Sequence, residues 1–227
     1  MRFATAFGAI LALCSGFAVA QSTPQSTQPV VSFQFERAGV AVPRYTLQVR
    51  EDGTGSYQAD VTPGVESGAS TPVAATEHVS RAISLTPAIT MKIFKAAREV
   101  KHFNIECEAK VKNIAKTGMK TLSYAGPDGR GSCTYNFSED NDVTMLTDTF
   151  LGIAFTLDEA RRLDFLHRFD RLGLDAEMSA LDEEAKAGRA LELGTIAPTL
   201  TSIASDTAVM ERVRVRAAKL LELAKDK

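Results

Sequence analysis

Asp164, His167 and Asp170 follow one another at steps of three within a stretch of helical periodicity. Residues three apart on a helix are neighbours, so an imidazole flanked by two carboxylates is a pattern that suits a general base or a metal ion. Arg168 and Arg171 stand beside them, and the same spacing equally describes a solvated ladder of ion pairs. His78 and His102 have no second histidine at ligand spacing, and His102 follows a helical stretch, where it reads as a partner for the helix C-terminus. Gly126-Pro127-Asp128-Gly129-Arg130-Gly131 lies between two alternating segments, which makes it a hairpin tip and not a phosphate-binding nest. No Gly-x-Ser-x-Gly elbow occurs, and nothing calls for a cofactor.

The cysteines add a second constraint. Arg2 precedes an apolar, charge-free run from Phe3 to Ala20 that ends Ala18-Val19-Ala20, the outline of a secretory signal cut before Gln21. A retained membrane anchor is the alternative reading of such a run. Leu11-Ala12-Leu13-Cys14 also has the outline of a lipidation signal, with the bulk of Leu13 against it. Cleavage removes Cys14 and leaves Cys107 and Cys133 in an oxidising compartment, where a disulfide between them is expected; two separately buried thiols are the alternative.

These groups need elements to position them. Period-two alternation marks Phe33 and Phe35, then Tyr45, Leu47 and Val49, then Tyr57, Ala59 and Val61, with Asp52-Gly53 as the tight turn of a hairpin. Residues 62–76 read as a loop and Val79 to Leu85 as a strand. Thr86-Pro87 reads as a capped helix entry. Cys107 to Ala115 and Lys120 to Tyr124 read as strands, the latter pairing with Cys133 to Phe137 in a second hairpin. Past Ser138 the period becomes 3.6. A first helix carries Val143, Leu146, Phe150 and Ile153; Thr156 with Glu159 reads as a capping box opening a second, to Gly173. Further helices are expected over 175–191, over 196–203, and from a cap at Asp206 or Thr207 to Leu223. The last of these resembles one helix of a HEAT-type repeat over about fifteen residues, without a second copy.

The expected organisation is therefore a signal peptide at 1–20, a flexible lead-in at 21–29, an α+β sheet domain at 30–137 and a helical region packed on it at 138–227. The fold class is α+β, with an antiparallel sheet of hairpins backed by one helix and followed by a C-terminal helical bundle. At 44% hydrophobic and 24% charged, the 227-residue chain has enough apolar material for real cores, and a net charge of -2 announces no polyanionic partner. The charge is segregated: residues 92–120 carry eight basic against three acidic side chains, and residues 138–184 thirteen acidic against four basic. That division predicts mutual attraction between the sheet half and the helical half, or an acidic surface for a basic partner.

Phe33 to Arg37, the Asp-Gly-x-Gly-x-Tyr phrase at Asp52 to Tyr57, and His167 to Asp175 resemble secreted bacterial proteins to which the resemblance attaches no activity. It implies location and architecture only. The functional expectation is a secreted or periplasmic, non-catalytic binding or interaction module for an envelope or extracellular protein or ligand. Nucleic acid is not expected as a partner, nor a transmembrane anchor after signal cleavage. The alternative is a hydrolase of unfamiliar type using Asp164, His167 and Asp170.

Overall fold

The computed structural model describes residues 28–62, 75–111 and 113–225. The signal peptide, Cys14, most of the lead-in and most of the 62–76 loop lie outside the described residues. The remainder is an α+β fold: a six-stranded antiparallel sheet of order β4-β3-β2-β1-β5-β6, backed by helices.

The first four strands form a meander: β1 (Val30–Glu36), β2 (Arg44–Arg50), β3 (Thr54–Val61) and β4 (Glu77–Ser84). The β2–β3 turn uses three residues, Glu51-Asp52-Gly53. Gly53 adopts φ +83°, while Asp52 accepts hydrogen bonds from the Thr54 N–H (2.9 Å) and hydroxyl (2.6 Å). Helix α1 (Pro87–Glu99) then carries the chain to the far side of β1, where β5 (Met119–Gly126) and β6 (Gly129–Tyr135) complete the sheet. The hairpin tip is Pro127-Asp128 alone, since Gly126 already pairs with Gly129. The strand expected over 107–115 does not form. Cys107 is buried but Val111 on the same side is half exposed, so burial does not continue along the alternation, and the Ala109 N–H to Phe137 carbonyl bond (2.9 Å) is not extended into a ladder.

Val31, Phe33, Leu47, Tyr57, Leu122 and Tyr124 face inward and are buried under α1 and α2 (Asn141–Phe169). Phe33 stacks on Phe150 of α2 with ring centroids 5.1 Å apart. Helix α2 is one 29-residue helix, capped by Asp140, whose carboxylate accepts from the Asp142 and Val143 N–H groups. The break expected at Thr156 is absent. The apolar stripe Ile153, Leu157, Ala160 and Leu163 runs through it, and the buried Thr156 hydroxyl donates back to the Gly152 carbonyl at 3.0 Å instead of capping a new helix.

Helix α3 (Leu174–Lys186) stops before Gly188 at φ +72°, short of the expected Leu191. Helix α4 (Ala197–Ser205) follows a 3-10 turn at Leu193–Ile196. Asp206 caps only the turn after α4, accepting from the Ala208 N–H at 2.9 Å, so α5 (Glu211–Lys225) begins later than expected. Its buried residues Val213, Ala217 and Leu220 define a plain amphipathic helix. Sheet and helices share one continuous buried core. Among the described residues, no helix is long and apolar enough to cross a membrane.

Candidate functional site

Steps of three on a helix of 3.6 residues per turn lag by about 60° each, so Asp164 and Asp170 point about 120° apart. The side chains diverge accordingly. Asp164 faces Arg81 of β4 at 3.7 Å. His167 Nε2 lies 2.9 Å from Asp206 Oδ2, an ion-pair geometry that Arg171 joins at 3.5 Å, and this ties the end of α2 to the turn between α4 and α5. Its hydrogen bond with His167 holds the Asp206 carboxyl below the usual carboxylate range. Asp170 closes the C-terminus of α2 by accepting the Gly173 N–H. Among the described residues, no three or more His, Cys, Asp or Glu side chains are grouped so as to hold a metal ion.

Cys107 and Cys133 form a disulfide, with Cα atoms 5.8 Å apart across 26 residues of sequence. The bridge lashes the segment after α1 onto β6, one edge of the sheet. Lys101, His102 and Phe103 in that segment all have positive φ (53°, 58° and 65°), a left-handed turn that non-glycine residues rarely adopt. A dense set of contacts holds it. The His102 ring packs on Tyr124, Gly129 and Gly131 leave room where any Cβ would strike His102, and Asp128 collects Tyr124 Oη at 2.6 Å and Arg98 Nε at 2.9 Å. Arg98 also reaches Glu51 at 2.7 Å. The Tyr124 and Arg98 hydrogen bonds hold the Asp128 carboxyl far below the carboxylate range; burial, then the Asp128 hydrogen bond, pushes the Tyr124 phenol up to about 12. Arg98 bridges Glu51 and Asp128, and with the His102–Tyr124 packing this makes the group a clamp on the sheet edge.

The ion pairs also revise the expected docking by charge. The acidic stretch is met by Arg161 and Arg162 at Asp158, by Arg212 and Arg216 at Asp175, by Lys186 and Lys219 at Asp182, and by Arg81 at Asp164. None of those partners comes from residues 92–120.

A buried glutamate, Glu159, beside a half-buried one, Glu177, was not legible as a pair in the sequence. Glu159 is 4% exposed and lies beside Glu177 of α3, with Arg162 Nη1 3.7 Å from Glu159 and 3.3 Å from Glu177. Burial, then the contact with Glu177, pushes its carboxyl up to about 8, so the pair holds a proton at neutral pH. The signal was an acidic residue inside an apolar helical stripe, hidden by its match to a capping box.

A cleft of about 390 Å³ lies where β1, β5 and β6 meet the first turns of α2. That volume suits a small molecule. Phe35, Phe137 and Leu151 supply apolar walls, and Thr144, Thr147 and Asn136 supply hydroxyl and amide groups. At its floor Tyr135 Oη and Thr147 Oγ1 hydrogen-bond at 2.6 Å. Lys120 is 6% exposed and its ammonium donates to Thr117 Oγ1 (3.1 Å), the Gly118 carbonyl (3.0 Å) and the Asn136 carbonyl (2.8 Å). All three N–H bonds are used, so this lysine fastens the 117–118 loop and is not presented as a nucleophile. Burial holds its pKa below the ordinary lysine value, with Glu108 opposing and nearby Arg37 adding to the shift.

No protein-family model matches the chain, and no curated protein matches it.

Proposed function

We propose that this protein is a non-catalytic binding module that works outside the cytoplasm, secreted or in a bacterial periplasm. The cleft beside Phe35, Phe137 and Leu151 carries the reading: its apolar walls stand among hydroxyl and amide groups, with Arg37 and Asp148 also in the lining, and its lysine is committed internally. The disulfide supports an oxidising compartment, and the signal-like run ending at Ala20 supports export with a mature chain starting at Gln21. Screening small amphiphilic compounds by thermal shift tests the cleft. Compounds that stabilise the native chain should lose their effect in Leu151→Trp, which fills it. Stabilisation unchanged by that substitution would remove the cleft from the reading. N-terminal sequencing after expression in a secreting bacterium tests location; a chain starting at lipidated Cys14 or at Met1 would overturn the cleavage.

One observation favours a second reading, a hydrolase using a histidine and carboxylates: the 2.9 Å pair between His167 and Asp206. In it Asp206, not Asp164 or Asp170, orients the imidazole. Turnover of ester, phosphoester or glycoside reporters that disappears in His167→Ala would establish it and displace the binding reading.

A further inference from the structure

The strand register lines up two rows of side chains on the outer face of the sheet, opposite the buried positions Val31, Phe33, Leu47, Tyr57, Leu122 and Cys133. One row reads Ser132, Ser123, Ser32, Gln48, Ser56 and Ala82 from β6 to β4. The next reads Thr134, Thr121, Gln34, Thr46, Gln58 and Ser80. Eleven of these twelve positions are Ser, Thr or Gln, none is charged, and all are at least partly exposed. With strands about 4.8 Å apart, the band is about 24 Å long.

Charges on the same face are held to its margins. Glu36, Arg44, Asp60 and His78 occupy the adjoining row and pair with one another, Arg44 with Glu36 at 3.2 Å and His78 with Asp60 at 2.6 Å. Arg130 and Arg50 mark the opposite margin. A solvent face kept only for solubility normally carries interspersed Lys and Glu. A phosphate polymer requires Lys or Arg across the contact, and a lipid surface requires an apolar or basic face. The band offers none of these. Each Ser or Thr hydroxyl and each Gln amide both donates and accepts hydrogen bonds. Contacts such as Thr121 Oγ1 with Thr134 Oγ1 (2.9 Å) and Ser132 Oγ with the Leu122 carbonyl (3.2 Å) use only part of that capacity.

We propose that this outer face docks a neutral polysaccharide, whose hydroxyls match the uncharged hydrogen-bonding groups of the band along its length. The inference goes beyond the cleft reading and does not depend on it. The test uses the mature chain from Gln21 with four neutral glycans: chitin, cellulose and an insoluble β-1,3-glucan by co-sedimentation, and dextran by affinity electrophoresis. Retention on at least one is expected, insensitive to salt. A Thr46→Lys, Ser123→Lys variant should bind at least about tenfold more weakly, while Met91→Lys on the exposed side of α1 should bind as the native chain does. Circular dichroism melting confirms that each variant is folded; if the double variant does not fold, Gln48→Glu alone takes its place. No retention on any of the four, retention abolished by salt, or retention untouched by the band substitutions overturns the proposal. So does a dimer that the same substitutions dissociate, because the face then meets a second copy. The Leu151→Trp result is read separately, so failure here leaves the cleft reading standing.

Discussion

Both carboxylate oxygens of Glu192 close on Thr86: the Thr86 N–H donates to Oε2 and the Thr86 hydroxyl to Oε1, each at 2.7 Å. The contact spans 106 residues of sequence and joins the start of α1 to the 3-10 turn before α4. A carboxylate there satisfies an otherwise orphaned amide and faces the positive end of the helix. Glu192→Ala is expected to cost about 1–3 kcal/mol, because the partly buried Thr86 groups lose a charged partner. Urea denaturation measures the loss, and hydrogen exchange should show it first in the opening turn of α1. An unchanged denaturation midpoint would show that the clasp adds nothing.

Gly129 and Gly131 leave the space that the left-handed turn at His102 occupies. Gly129→Ala drives a methyl group into the imidazole and should destabilise by about 1–3 kcal/mol. In a His102→Gly background the same substitution should be close to neutral, since the ring is gone and glycine accepts the positive φ. A full cost in both backgrounds would place the conflict elsewhere.

The Cys107–Cys133 bridge closes a loop across 26 residues. The chain-entropy relation puts its contribution at about 3.5 kcal/mol. Denaturation with and without reductant, and of a Cys107→Ala, Cys133→Ala double variant, should show a matching loss. Mass spectrometry of the unreduced protein should recover the cross-linked peptide; freely alkylated thiols under denaturing conditions would reject the pairing.

Glu159 gives stability a pH slope. Its folded pKa, near 8, exceeds its ordinary 4.5, so the folded state keeps a proton that the unfolded state releases. Its contribution is fully present below about pH 4.5 and is lost as pH rises to about 8. Glu159→Gln, permanently neutral, should flatten that part of the profile and exceed the native protein in relative stability at the alkaline end. Denaturation midpoints measured across this range check it; parallel profiles for the two proteins would assign the slope to other groups.

The sequence by itself determined the strands and most of the helices, because alternation at Phe33, Tyr45, Leu47 and Tyr57 and the stripe from Val143 to Leu163 are local patterns backed by burial. It also pointed to the Asp52-Gly53 turn and to the cysteine pair. The Thr156–Glu159 box failed because two residues at cap spacing look alike whether they open a helix or lie inside one; only the uninterrupted packing of α2 decides between them. Segment 107–115 failed because alternation does not reveal whether the backbone builds a ladder: the Ala109 amide reaches the Phe137 carbonyl just past the edge strand β6, and no strand pairing follows among the described residues. The trio Asp164, His167 and Asp170 was legible as chemistry but not as geometry. Its partners, Arg81, Asp206 and the Gly173 amide, lie on β4, after α4 and after α2, and two of the three contacts are distant in sequence. The uncharged band exists only once the register sets Ser32 beside Ser123 and Gln48. Strand order and register arise from burial of the opposite face over the whole sheet, a sum that no local stretch of sequence contains.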